Sequence, residues 1–160
     1  MRSEQEINRA IDQYSDMIRR LCMVYLKNYA DTEDIFQTVF LKYTLSDTVF
    51  KTAEHEKAWL IRVTVNACKD MLKKLFHRRH VSIEEVMEQA AIKQDDHREV
   101  LEAVLMLPEK YRDVVYLHYI EGYTAKEISE ILKKNVNTVY TLITRSKHLL
   151  KEKLGGDDDE

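Results

Sequence analysis

The last third of the chain, Leu107 to Leu154, constrains the fold more than any other stretch. An apolar segment (Val100, Ala103, Val104, Leu107) runs into Pro108, which fits the first turn of a new helix because its missing N–H is not needed there. Tyr111, Val114, Val115 and His118 to Ile120 continue that helix, and Gly122 is placed to end it as a left-handed cap. Thr124-Ala125-Lys126-Glu127 is a capping box, in which hydroxyl and carboxylate each satisfy an otherwise unpaired backbone donor. Ile128, Ile131 and Leu132 give the short helix that follows its buried face. Lys133 to Val136 reads as a turn, and Asn137 can cap a longer final helix. A hard stop, a short capped helix, a polar turn and a helix with a basic face make the pattern of a helix-turn-helix, which lays its last helix in the major groove of DNA.

The rest of the chain supports an all-α fold. Only 3 glycines and 1 proline occur, too few for the many turns of an all-β protein. No apolar run approaches the roughly 18 residues that span a bilayer. Met1 to Ala10 is too polar for a secretory leader, so a cytoplasmic chain without membrane insertion is expected. Cys22 and Cys68 sit in apolar helical surroundings and read as two buried, reduced thiols. Catalytic signals are weak. His77 and His80 lie three apart with no cysteine or carboxylate to complete a metal set. There is no glycine-rich phosphate loop and no serine, histidine and acid constellation. The expectation is a protein that is not an enzyme and holds no metal and no cofactor.

Charge divides the chain where the helical pattern does. Residues 1–80 carry 14 basic and 11 acidic side chains (net +3), and residues 100–154 carry 9 and 7 (net +2). Between them residues 81–99 carry 2 and 6 (net −4), and residues 155–160 add 0 and 4 (net −4). This gives two small helical domains, 1–76 and 99–154, joined by a flexible linker, 77–98, and followed by an acidic tail, 155–160. In the first domain Ile7, Ile11, Tyr14, Ile18, Leu21 and Tyr25 mark one helical face. Asp31 or Thr32 can cap a second helix that carries Ile35, Val39 and Phe40. Leu45 to Ala53 reads as a loop, and a long helix follows from Glu54 to Phe76. In the linker, Ser82 with Glu85 can cap one short helical turn. Extended, the linker would reach on the order of 70–80 Å, more than two turns of DNA at roughly 34 Å each.

Two helices carry nucleic-acid chemistry. At about 100° per residue, Leu60, Val63, Ala67, Met71 and Leu75 fall in one sector of the Trp59–Phe76 stretch, and Ile61, Val65, Cys68 and Leu72 in the next. Arg62, Asn66, Lys69 and Lys73 form a narrow strip opposite, flanked by Trp59 and Asp70, with Lys74, Arg78 and Arg79 extending the charge. Such a strip is either a solvated face or a surface that meets phosphates through its cations and a base edge through Asn66. Trp59 either stacks on a base or completes the core. On the final helix Val139, Ile143, Ser146, Leu150 and Leu154 share the packing side. Tyr140, Thr144, Lys147, His148 and Lys151 lie opposite, with Thr141 and Arg145 beyond them. Small hydrogen-bonding side chains come first and cations later, the order of a recognition helix that enters the groove by its N-terminus. The alternative is a surface helix of a small bundle.

Taken together, these segments resemble the extracytoplasmic-function (ECF) sigma factors, small members of the bacterial sigma-70 family. The resemblance covers about residues 5 to 152 and rests on four motifs in order. Asp31-Thr32-Glu33-Asp34-Ile35-Phe36-Gln37-Thr38-Val39-Phe40 resembles the family's D-A-E-D-L-x-Q-E-x-F helix. Ala58-Trp59-Leu60-Ile61-Arg62-Val63-Thr64-Val65-Asn66, followed by Asp70, resembles its W-L-x-x-I-x-x-N-x-x-x-D segment. Leu107-Pro108-Glu109-Lys110-Tyr111-Arg112 resembles the L-P-x-x-x-R that opens its second domain, and Thr138-Val139 with Arg145 match its recognition helix. The resemblance implies two helical domains and a linker, core RNA polymerase and promoter DNA as partners, and an anti-sigma factor as a further partner. It assigns polymerase contacts to the Asp31–Lys42 helix, with Asp31, Asp34, Gln37 and Lys42 as its polar members. It assigns reading and melting of the minus-ten element to the Trp59–Lys73 helix and the Leu45–Ala53 loop. The final helix would read the minus-thirty-five element.

The sequence departs from the family pattern at a few positions. Thr38 stands where an acid is usual, and Tyr140 and Leu142 where cations are frequent. Lys133 replaces a frequent turn glycine, from which a turn without a left-handed residue is expected there. Two other readings stay open on sequence alone. One is a stand-alone helix-turn-helix regulator, and the other a sigma-like module that binds protein but not DNA.

Overall fold

The computed structural model describes residues 1–74 and 98–153. They belong to two compact units, each with its own core. Seven α-helices and no strand occur among the described residues, as the low glycine and proline content predicts. The Ser82–Glu85 turn, His77, His80, Arg78, Arg79, most of the linker and the acidic tail lie outside the described residues.

The first unit is built from α1 (Glu4–Leu26), α2 (Tyr29–Leu45) and α3 (Ala53–Lys74), each packed on the other two. Helix α1 starts at a capping box: the Glu6 N–H donates to Ser3 Oγ at 3.1 Å and the Ser3 N–H to Glu6 Oε1 at 3.1 Å. It ends at Lys27 in the left-handed conformation, with φ 50°. Ala10, Ile18, Leu21 and Cys22 are fully buried, and the expected stripe through Tyr14 is its centre. Each fully buried Leu or Ile of this kind stabilises the fold by about 1.5–3 kcal/mol.

Neither Asp31 nor Thr32 caps α2. The helix begins a turn earlier, and the Asn28 side chain accepts the Asp31 N–H at 2.8 Å. Asparagine caps as well as aspartate, and starting at Tyr29 turns both Asp31 and Thr32 inward, where they are buried. Arg19 ties α1 to α2 by a fork onto Glu33 (2.8 and 3.2 Å) and lies 3.9 Å from the Phe36 ring centroid. Residues 46–52 form the expected loop. Helix α3 buries Leu60, Ile61, Thr64, Val65, Ala67 and Cys68. Its expected end at Phe76 lies outside the described residues.

The second unit contains α4 (Arg98–Met106), α5 (Glu109–Val115), α6 (Ala125–Leu132) and α7 (Val136–Lys153). Pro108 stands one position before the first residue of α5 and supplies its N-cap. The continuation of α5 widens into a π-helical turn, Tyr116–Ile120, where the Glu121 N–H donates to the Tyr116 carbonyl at 3.2 Å. Periodicity predicted an unbroken helix here; the wider turn lets Tyr116 stay buried while its hydroxyl donates to Glu121 at 2.6 Å. Gly122 then takes φ 80°, the left-handed position expected of it.

The Thr124–Glu127 capping box forms, with contacts of 3.1 and 2.9 Å. Helix α6 ends at Lys133, which adopts φ 56° and ψ 47°. A left-handed residue therefore does occur at this turn, against the expectation drawn from the missing glycine. The Lys134 N–H donates to the Ser129 carbonyl (3.0 Å) and Ser129 Oγ to the Lys134 carbonyl (2.7 Å), which holds the turn closed around the strained lysine. Asn135, not Asn137, caps α7: Asn135 Oδ1 accepts the Asn137 N–H at 2.8 Å and its carbonyl the Val139 N–H at 3.1 Å. The helix starts one residue before Asn137, so Asn137 is already inside its first turn.

Candidate nucleic-acid interface

Helix α7 buries Val139, Ile143, Ser146 and Leu150 against its own unit. That fixes its rotation, and the opposite side follows from the period. Thr138, Tyr140, Thr141, Thr144, Arg145, Lys147, His148 and Lys151 are all exposed. The N-terminal part of this surface holds hydroxyls. Thr141 Oγ1 donates to the Asn137 carbonyl at 3.0 Å, which leaves its oxygen lone pairs to accept from a base edge. The C-terminal part holds Arg145, Lys147 and Lys151. The two departures from the family pattern separate here. Leu142 is half-buried, so it serves packing, whereas Tyr140 is 56% exposed and belongs to the outer surface.

On α3 the strip also faces out. Asn66, Lys69, Asp70 and Lys73 are exposed, and Arg62 is half-buried. Trp59 is half-buried as well, with ring centroids 5.6 Å from Phe50 and 6.2 Å from Tyr43 in tilted, edge-on contacts. It thus completes an aromatic cluster without being fully buried.

In the first turn of α3, before the strip begins, Glu56 anchors a polar network that periodicity did not reveal. Glu56, 5% exposed, accepts from Arg9 Nη2 (2.7 Å) and Nη1 (3.1 Å), Tyr43 Oη (2.6 Å) and Tyr14 Oη (3.2 Å). Burial alone would raise the Glu56 carboxyl, but the Arg9 guanidinium and the tyrosine hydroxyls outweigh it and hold it below its ordinary value. The Tyr43 hydroxyl is pushed up to about 12 by burial and by the carboxylate it bonds. Beside the network a cleft of about 580 Å³ opens between Arg2, Arg9, Glu56 and the 46–52 loop. Val49 on that loop is 82% exposed.

The outer face of α2 is mixed. Asp34, Gln37, Leu41 and Leu45 fall on one side of the helix at steps of three and four. Leu41 and Leu45 are 59% and 60% exposed, an apolar addition to the polar positions expected there. They could have been found in the sequence as apolar residues outside the Ile35–Val39 stripe. Lys42 is exposed as well, whereas Asp31 is buried. In the core, Cys22 and Cys68 are both buried and unbridged, and their mutual hydrogen bond, with burial, pushes the Cys22 thiol well up. Among the described residues no group of three or more His, Cys, Asp or Glu is placed to hold a metal, and no helix is long and apolar enough to cross a membrane.

Known proteins share both units. Residues 10–79 match the family description "Sigma-70 region 2" and residues 97–150 match "Sigma-70, region 4". The chain is 31% identical over 142 residues to the RNA polymerase sigma factor SigV of Bacillus subtilis, covering 87% of this chain and 85% of SigV. The chain belongs to the sigma-70 family, as an ECF sigma factor. The ECF RNA polymerase sigma factor SigW of the same organism is 29% identical over 161 residues, covering 90% of this sigma factor and 86% of SigW. In fold it is similar to the sigma factor RpoE of Bartonella quintana, solved in complex with the anti-sigma factor NepR, with a TM-score of 0.74 at 18% identity and coverage of 96% and 99%. As a sigma factor it is a transcription initiation subunit that directs RNA polymerase to promoters.

Proposed function

We propose that this sigma factor engages core RNA polymerase through the outer face of α2, reads and helps open the minus-ten element with α3 and the 46–52 loop, and reads the minus-thirty-five element with α7. The observation that carries this reading is the pair of exposed strips, one in each unit, each lying opposite a buried core face of its own helix. On α7, Thr138, Thr141 and Thr144 address base edges while Arg145, Lys147, His148 and Lys151 address phosphates. On α3, Arg62, Lys69 and Lys73 track the backbone, and Asn66 and the half-buried Trp59 meet bases as they leave the stack. On α2, Asp34, Gln37 and Lys42 supply polar contacts around the exposed Leu41 and Leu45. Asp31 acts from inside the helix rather than as a direct contact, because it is buried.

The mixed α2 face favours this reading over a stand-alone DNA-binding regulator, which has no use for an exposed apolar and polar helix far along the sequence from its DNA-reading helix. We also propose that the protein works in the cytoplasm, catalyses no reaction itself and is held in reserve by an anti-sigma partner. The test is transcription by core polymerase with the full chain on genomic DNA, followed by sequencing of RNA 5′ ends. Initiation at a defined promoter set is expected, lost with Asp34→Ala plus Gln37→Ala. No stable complex with core would refute the reading.

A further inference from the structure

Arg2 binds the 46–52 loop from 46 residues away in sequence. Its Nη2 donates to the Thr48 carbonyl at 2.6 Å and its Nε to the Tyr43 carbonyl, in the last turn of α2, at 2.9 Å. Its backbone N–H donates to the Thr44 carbonyl at 3.0 Å. The guanidinium carbon lies 4.4 Å from the Tyr43 ring centroid and 4.7 Å from that of Phe50, two rings whose planes differ by 2°. Glu6, one turn along α1, lies 3.7 Å from Nη1, and the Arg2 side chain is only 9% exposed. One planar cation thus joins α1, the carbonyl end of α2 and the loop, where carbonyls unpaired within the helix attract positive charge. Within the loop the polar ties are short-range: Ser46 Oγ to Thr48 Oγ1 at 2.9 Å, the Thr48 N–H to Ser46 Oγ at 3.1 Å, and the Lys51 N–H to His55 Nδ1 at 3.4 Å.

We propose that Arg2 is a positioning residue for promoter opening: it fixes the 46–52 loop and the Phe50 ring so that bases leaving the duplex meet a preformed surface. The proposal rests on the assignment of this loop to the minus-ten element. The physical reason is preorganisation. A loop already held in one arrangement loses less conformational entropy when it clamps an unstacked base. Arginine is specified because two carbonyls in different elements and two ring faces are met by one rigid fork, which the single ammonium of lysine cannot reproduce.

The test uses holoenzyme made from core polymerase and the full chain with Arg2→Ala or Arg2→Lys. Promoter opening is read by permanganate reactivity, and base preference is read on promoters with each minus-ten position changed in turn. Both variants are expected to open the promoter about tenfold less, equivalent to about 1.4 kcal/mol, and to discriminate less between bases at the minus-ten element. Affinity for core and protection of the minus-thirty-five element stay at the wild-type level. Wild-type opening and wild-type discrimination by Arg2→Ala overturn the proposal. If Arg2→Ala also loses core affinity, Arg2→Lys decides, since it keeps the cation and its alkyl stem. It must bind core normally and still lose discrimination, and full discrimination by it overturns the proposal. Failure of the wild-type holoenzyme to open any promoter would instead refute the assignment of the loop.

Discussion

Replacing Glu56 by alanine should unfold the first domain more readily than any single surface change. The carboxylate is the shared acceptor of Arg9, Tyr14 and Tyr43, and its side chain is 7% exposed against 49% for Arg9. Arg9 can turn back to water when Glu56 is lost. Tyr43, fully buried, cannot, and its hydroxyl proton loses its acceptor. A hydrogen bond to a charged group contributes about 1.5–3 kcal/mol. Two tyrosine bonds, the Tyr14 bond being the longer, therefore sum to about 3–4 kcal/mol, with the half-exposed Arg9 pair adding roughly 1 kcal/mol or less. A domain of this size has about 4–11 kcal/mol of stability, so a large share of the margin goes.

Trp59 is the 1 tryptophan of the chain and packs on Phe50 and Tyr43, so its emission reports this domain. The urea midpoint should fall by about 2 M or more for a slope of roughly 1.5 kcal/mol/M. The pH dependence carries a sign. The folded carboxyl lies below its ordinary value of 4.5, so its contribution is complete above that pH and is lost as pH falls through the folded value. The gap between wild type and Glu56→Ala must therefore narrow on acidification. A loss under about 1 kcal/mol, or a gap that stays constant down to acid pH, would refute the argument.

Lys133→Gly should stabilise the second domain by about 0.5–1 kcal/mol, since it relieves a left-handed lysine at φ 56°; calorimetry of the full chain reads it as a rise in that domain's transition. Gly122→Ala should cost about 1–2 kcal/mol in the same assay, because φ is 80° there even though nothing lies within 4 Å of an added Cβ. Arg145→Ala with Lys147→Ala should lower the slope of log affinity against log salt by about 1.8, roughly 0.9 for each phosphate no longer neutralised. Filter binding to minus-thirty-five duplexes across a salt series measures it, and an unchanged slope removes both cations from the phosphate-binding set.

The helices and their outward strips were legible because each depends on spacings of three and four residues. Ser3 with Glu6 and Thr124 with Glu127 are of the same kind: both partners lie within one turn. Errors arose where two residues of equal local merit competed. Asn28 took the cap expected of Asp31 or Thr32, and Asn135 the one expected of Asn137, because packing chose the turn at which each helix begins. Lys133 entered the left-handed region because the Ser129 and Lys134 bonds and the burial of Ile131 and Leu132 close that turn with or without glycine. The half-burial of Leu142 and the burial of Asp31 are likewise matters of helix rotation against a neighbour.

The sequence by itself determined the class of fold, the order of its helices, the family and the side of α3 and of α7 that faces outward. Those follow from local periodicity, which relates residues no more than a few turns apart. Only the tertiary structure brought Arg9 to Glu56 across 47 positions and Arg2 to Thr48 across 46. No periodic signal encodes such pairs, because their partners lie on different helices and meet only once the core has packed. That packing sets the arrangement of the 46–52 loop, while Gly122 and the Thr124–Glu127 box of the second domain join residues so near in sequence that the chain already spelled them out.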